Sequence, residues 1–254
     1  MEAEPYKITS GIFGGSGFTL SWESIVGKWY QVHWTTALED AWTKEAELIA
    51  DSEVTTYTDS TPAPESGFYQ VVNIPPTPIF EEDFESAAAG WTTVTFSTTE
   101  WELGPPASEH GPGAAQSGSN VYGTDLDGDY ELNTFASLYS PQIDLSGLDA
   151  ATLVFSSSRD VEPALVGGEL VDFIKVWAVD AQGADVVGMP LLRQAGVRAQ
   201  WKVTRVQIPV EALGRSVRFE FRLTSDDFNL FDPDTGGDIT QAGWFIDDVS
   251  VIPE

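Results

Sequence analysis

A 254-residue chain with forty Asp and Glu against twelve Lys and Arg carries a formal net charge of -28, so a polyanion meets repulsion over almost all of its surface. Nucleic acid and anionic membranes are therefore poor partners for it. The lack of any Cys excludes disulfides, a thiolate metal site and a thiol nucleophile, and no apolar run approaches the length of a membrane span. Nine Trp, fourteen Phe and seven Tyr among abundant Thr, Ser and Gly, with few segments of helical period, predict an all-β protein.

The start, Met1-Glu2-Ala3-Glu4-Pro5, has neither the basic nor the apolar region of a leader, which predicts a soluble chain, as a mature or trimmed fragment. Gly17-Phe18-Thr19-Leu20-Ser21-Trp22 alternates apolar and polar residues, and Lys28-Trp29-Tyr30-Gln31-Val32-His33-Trp34 follows a turn at Val26-Gly27. These segments predict two antiparallel strands. The acidic stretch from Glu39 to Glu53 is expected to hold a short helix from about Ala41 to Ile49, and Val54 to Thr58 and Phe68 to Val72 are expected as strands. Three prolines in Asn73-Ile74-Pro75-Pro76-Thr77-Pro78 favour an extended linker and cannot sit inside a sheet. The expected organisation is a small β-sandwich over residues 1-74, a proline-rich linker over 75-78 and a larger β domain over 79-254.

Both parts are acidic, with formal charges of -8 and -20. In the larger part the clearest strands are Thr152 to Ser156, Asp172 to Val179, Trp201 to Ile208 and Val217 to Leu223. The last alternates strictly, which directs Val217, Phe219, Phe221 and Leu223 to the core and Arg218, Glu220 and Arg222 to the other face.

Two resemblances follow. Leu20-Ser21-Trp22, Gly27-Lys28-Trp29-Tyr30, Trp42, Tyr57-Thr58-Asp59 and Phe68-Tyr69 make the first part similar to short fibronectin type III-like repeats of bacterial exported proteins, which implies a spacer or interaction domain. The second part resembles the jelly-roll modules related to MAM domains, found in immune inhibitor A-like proteases and bacterial "choice-of-anchor" domains. The residues that carry this resemblance are Asp83-Phe84-Glu85 with Gly90-Trp91, Trp101, Tyr122 to Gly128, Ser137 to Leu145, and Gly243 to Val249. It implies an all-β fold in which a small fibronectin type III-like sandwich precedes a larger jelly-roll β-sandwich. Relatives of this kind often continue from the final strand into a sorting tail, whereas this chain stops at Val251-Ile252-Pro253-Glu254, so an exported, surface-destined protein lacking that tail is expected.

Carboxylates inside apolar β runs are costly unless neutralised, and they stand here in both the first and the last strand of the larger domain. Alternation puts Glu81, Asp83 and Glu85 on one face of the first strand, and places Asp247 on the face of Val249 and Val251 in the last. If those strands are neighbours, Asp83, Glu85, Asp247 and Asp248, with the loop residues Asp125, Asp127 and Asp129, are candidate ligands for Ca2+, which takes 6 to 8 oxygens. The competing reading is a set of solvated edge charges. The Asp125 loop is no EF-hand, because its Gly comes one position early and Ala136 stands where the closing Glu belongs. Asp232-Pro233-Asp234-Thr235-Gly236-Gly237-Asp238 is a second acidic turn, read as solvated.

For a ligand, Phe173, Lys175 and Trp177 alternate outward from a strand, with Trp177 as a sugar-stacking candidate. The plainer reading is a Trp covered by a loop such as Gly104 to Gly118. Trp91, Trp201 and Trp244 read as core or strand-end residues. An enzyme is not expected. His33 and His110 are the only histidines, and no nucleophile elbow, His-Glu-x-x-His or phosphate-cradling motif occurs. Forty acids make a glycosidase-like carboxylate pair too easy to find to carry weight.

The reading is a non-catalytic, calcium-stabilised, extracellular or cell-surface bacterial module for adhesion or carbohydrate binding, whose partners are polysaccharide or another surface protein. The alternatives are a structural or assembly subunit of a surface polymer, joined through edge strands, and an accessory region of a secreted hydrolase.

Overall fold

The computed structural model describes residues 5-25, 28-62, 67-73, 77-162, 165-166, 169-170, 172-226 and 241-253. The chain is all-β and falls into two compact units, Met1–Thr77 and Pro78–Glu254. Among the described residues the helical content is one 3₁₀ turn, Val210–Ala212, and no helix is long and apolar enough to cross a membrane.

The first unit contains β1 (Pro5–Tyr6), β2 (Ile8–Gly14), β3 (Gly17–Glu23), β4 (Trp29–Thr35), β5 (Thr43–Ile49), β6 (Val54–Asp59) and β7 (Phe68–Val72). They form a three-stranded sheet, β2-β3-β6, and a four-stranded sheet, β1-β7-β4-β5. Leu20 and Trp22 from one sheet and Tyr30, Val32 and Val71 from the other form the core. The two strands predicted from alternation therefore lie in opposite sheets and pair with other strands.

The helix expected over Ala41 to Ile49 is instead strand β5. Its register sets Leu48 opposite Tyr30 and Ala46 opposite Val32. Ala46 and Leu48 both pack on the core, a two-residue spacing that only a strand satisfies. The strand also uses the β4 edge that β7 leaves open. The Val26-Gly27 turn lies outside the described residues.

The second unit contains β8 (Phe80–Glu82), β9 (Thr92–Thr95), β10 (Trp101–Gly104), β11 (Val121–Thr124), β12 (Phe135–Tyr139), β13 (Ile143–Asp144), β14 (Ala151–Val161), β15 (Leu165–Val166) and β16 (Glu169–Leu170). It continues with β17 (Phe173–Val179), β18 (Leu192–Gln194), β19 (Gly196–Gln207), β20 (Ser216–Thr224) and β21 (Gly243–Pro253). One sheet runs β10-β11-β21-β14-β19, with β8 added beside β21; the other runs β18-β17-β20-β12-β9, with β13 added beside β20.

Facing side chains fill the space between these sheets, as in a jelly-roll sandwich. Val217, Phe219, Phe221 and Leu223 are fully buried, as their alternation predicts. Around Phe221 stand Phe155 at 5.3 Å, Trp244 at 5.7 Å and Trp91 at 6.1 Å between ring centroids, and Trp101 meets Trp244 at 5.4 Å. Such tilted and edge-on pairs add to the area that each ring buries. Buried Trp244 also donates its indole N–H to the Ser157 hydroxyl at 2.9 Å.

Part of the outer face of the β21 sheet, around β11 and β21, is buried as well. Val121, Leu126, Ala242 and Phe245 form a second small core against Ala115 and Trp201. Trp201 donates its indole N–H to the Ala114 carbonyl at 2.8 Å, so the segment between β10 and β11 lies over this face.

Trp244→Ala is expected to cost about 3 to 5 kcal/mol through loss of packing and the cavity left behind. The exposed Val210→Ala should stay within about 0.5 kcal/mol of the parent. Urea unfolding of the two variants checks this.

Candidate functional site

The first and last strands of the second unit are neighbours. β8 pairs antiparallel with β21, setting Glu82 opposite Val249, Glu81 opposite Ser250 and Phe80 opposite Val251. Between them lies an open groove of about 540 Å³, lined by Glu81, Glu82, Asp83, Ser86, Asp248, Val249 and Ser250. Acidic residues from both runs thus line one groove, although among the described residues their carboxylates do not form a cluster that could close on one ion.

Alternation does not survive through either run. Strand β8 ends at Glu82, and Phe84 takes a left-handed backbone with φ of 59°, which sends its ring into the core against Trp91 and Tyr122, each at 5.1 Å. In β21 the pairing with β14 jumps from Val154–Ser250 to Ser156–Asp247, a bulge that sets Asp248 and Val249 opposite Phe155. Asp248 has φ of 48°. The bulge resets the pleat. Trp244, Ile246, Val249 and Val251 face the main core, so Asp247 shares the opposite face with Phe245 and not the face of Val249 and Val251, as simple alternation predicts.

On that face Asp247 is fully buried and accepts three backbone N–H bonds: from Gln116 and Ser117, each at 3.0 Å, and from Asp248 at 2.7 Å. Burial pushes its carboxyl up to about 6; the repulsion of Asp248 adds to this, and the N–H donors pull against it. Asp248 accepts the Ser117 hydroxyl at 2.7 Å. Glu85 accepts the N–H groups of Ser119 and Asn120, at 2.8 and 2.7 Å. Gly118 sits between these donors with φ of 55°, and a side chain there would collide with the Glu85 carboxyl. Asp83 accepts the N–H of Glu85 at 3.1 Å, closing its own turn. Residues 116-120 are thus folded around carboxylates from both ends of the unit.

The remaining candidate ligands separate. Asp125, at φ of 65°, and Asp127 come together with Glu102, their carboxylate oxygens all within 4.8 Å of one another. Burial and the neighbouring Glu102 and Asp127 push the Asp125 carboxyl up. This donor set is hard, anionic and oxygen-only, the kind a Ca2+ ion takes. Glu102 was invisible to the sequence reading because it comes from β10, more than twenty residues away, and reaches the loop by cross-strand pairing. Asp129 turns aside to His110, at 3.1 Å. The Asp232 turn lies outside the described residues.

A buried polar knot that the sequence did not signal stands beside these loops. The Tyr130 hydroxyl lies 2.6 Å from Asp172 and 2.7 Å from the Gln241 side-chain oxygen, and it accepts the N–H of Glu162 at 3.1 Å.

Phe173, Lys175 and Trp177 project together from β17, half-buried, on the outer face of the other sheet. The Gly104 to Gly118 segment does not cover Trp177, since it lies against Trp201 and Asp247 of the β21 sheet. Instead, Lys175 Nζ and Arg222 Cζ each lie 5.5 Å from a Trp177 ring centroid.

No family model matches the chain. Over 171 residues it is 29% identical to bacillopeptidase F of Bacillus subtilis strain 168, a match covering 67% of this chain and 10% of that protein. The chain thus spans about a tenth of that relative's length. Among solved structures, the K1 cleaved adhesin domain of Lys-gingipain from Porphyromonas gingivalis W83 superposes with a TM-score of 0.44 at 19% identity, covering 69% of this chain and 98% of that one. The CBM22-2 xylan-binding domain of Paenibacillus barcinonensis Xyn10C gives 0.41 at 16%, with coverage of 69% and 99%.

Asp247→Ala removes the acceptor of three part-buried backbone N–H bonds, and the expected loss is about 1 to 3 kcal/mol in all, with amide exchange at Gln116 and Ser117 accelerated. A second expectation concerns pH. With a folded-state pKa of about 6 against an ordinary 3.8, Asp247 holds its proton more tightly in the folded chain. That stabilisation is present below the ordinary value and is lost as pH rises through about 6. In EDTA, the melting temperature should show this fall between about pH 4 and 6, and Asp247→Asn should flatten it.

Proposed function

We propose that this chain is a non-catalytic, exported or cell-surface bacterial module for adhesion or carbohydrate binding, stabilised by Ca2+. The observation that carries the binding reading is the outer face of β17. There Phe173, Lys175 and Trp177 stand half-exposed on a rigid sheet whose other side is the packed core. A platform of this kind holds rings in place before a ligand arrives, which lowers the entropy cost of binding.

The calcium reading is supported by the Glu102, Asp125 and Asp127 cluster. A cation at the cluster would relieve the repulsion that raises the Asp125 carboxyl. Its role would be structural, since the cluster pins the loop after β11 to β10. The MAM-like and fibronectin type III-like kinships belong to the same proposal; Pro75 and Pro76 of the expected linker lie outside the described residues. A second reading, an accessory region of a secreted hydrolase, is supported by the 171-residue likeness to part of bacillopeptidase F.

Calorimetric titration with Ca2+ and melting with and without EDTA test the metal. The expected result is binding, a higher melting temperature in Ca2+, and loss of much of both in Asp125→Asn combined with Asp127→Asn. An unchanged melt and no heat of binding would refute the calcium part. A glycan array run in Ca2+ tests the binding part: signals that vanish in Trp177→Ala are expected, and a blank array shifts the reading to a structural or assembly subunit.

A further inference from the structure

Strand β19 ends the β10-β11-β21-β14-β19 sheet, and among the described residues no strand pairs with its outer edge. Such an edge leaves a row of N–H and C=O groups ready to pair with another chain. The strand is twelve residues long, has no Pro to blunt it, and exposes Val197 and Val203 at 65% and 46%. From Lys202 to Gln207 its register with β14 is unbroken, so this part of the edge is free of bulges.

The charge of the strand is opposite to that of the chain. Between Asp185 and Glu211 stands no acidic residue, although the sequence holds forty, while four of its twelve cations fall there: Arg193, Arg198, Lys202 and Arg205. The last three belong to β19, and no carboxylate among the described residues lies within ion-pair distance of them. Charges on an edge strand commonly keep other chains away. In a chain at -28 these cations repel only a second β19, and they attract an acidic strand.

The other side of the same sheet supplies such a strand. Among the described residues β8 pairs with β21 alone, on the side away from β14, and it carries Glu81 and Glu82. Phe80 and Val206 pack on the main core, so alternation turns Glu81 and Arg205 to the outer face and Glu82 and Lys202 to the inner one. An antiparallel pairing of β8 with β19 that sets Glu81 opposite Arg205 also brings Glu82 diagonal to Lys202, within reach of long side chains.

We infer that the free edge of β19 takes strand β8 of a second copy of this chain, in a head-to-tail contact that continues the sheet. This goes beyond the binding reading above and does not rest on it. A contact between two different surfaces leaves one of each free, so copies add into rings or filaments. Because β8 is three residues long, each contact is small and association depends on concentration.

The test is sedimentation velocity over a range of concentrations in EDTA, which removes bridging by divalent cations. Expected are a mass that rises with concentration in the parent and an association constant lower by about tenfold in Arg205→Glu and in Glu81→Lys. Both residues are exposed, so each variant should melt like the parent. Mixed in equal amounts, the two variants should associate again, because each then meets an edge of opposite charge. A monomer at every concentration would overturn the inference, as would association that neither variant weakens or that the mixture fails to restore. A monomer that binds poly-L-glutamate, and no longer does so in Arg205→Glu, would overturn the second copy and assign the edge to an acidic partner protein.

Discussion

The second unit depends on how strand β21 carries two adjacent carboxylates through a part of its sheet that is buried on both faces. A regular strand would have to direct one of them into the main core, where burying a charge costs several kcal/mol without partners. The bulge at Asp248 avoids this. It returns Val249 and Val251 to the core side and leaves Asp247 on the far side, where backbone N–H groups of residues 116 and 117 close over it. The same bonds tie down the segment that covers Phe245, Val121 and Leu126. The small second core thus depends on one local break in the pairing of β21 with β14.

Glu85 completes the arrangement from the other end of the unit. Asp247 and Glu85 each present one carboxylate oxygen to two successive N–H groups of the same short segment, which Gly118 allows to turn between them. Carboxylates used in this way act as acceptors for an irregular loop, a role that water or a cap would otherwise fill. Asp125, Asp127 and Glu102 differ in facing one another at close range, although Glu102 also accepts the Leu126 N–H at 2.9 Å and Asp125 that of Gly128.

Much of this was legible in the sequence, and the reasons for the gaps are physical. Strict alternation over Val217 to Leu223 identified a core strand because nothing interrupts the pleat there. The adjacency of the two acidic runs was also readable, since first and last strands commonly pair. Alternation misplaced Asp247 because a bulge shifts the period by one residue, and no single-residue signal marks it. Residues 41-49 read as helical because charged and apolar residues alternate loosely there, while the open edge of β4, a tertiary fact, makes them a strand. The Glu102 cluster was hidden for a related reason, since it exists only through register between strands.

A chain at -28 appears a poor receptor for any anion, yet its charge is not spread evenly. The acidic groove and the Glu102 cluster belong to the β21 sheet, and a group of cations lies on the outer face of the other sheet. Among the described residues of that face, Lys175, Arg218 and Arg222 stand beside the buried Glu220, which Arg222 holds at 2.7 Å. The net charge governs solubility and long-range encounter, and the local distribution of charge governs contact.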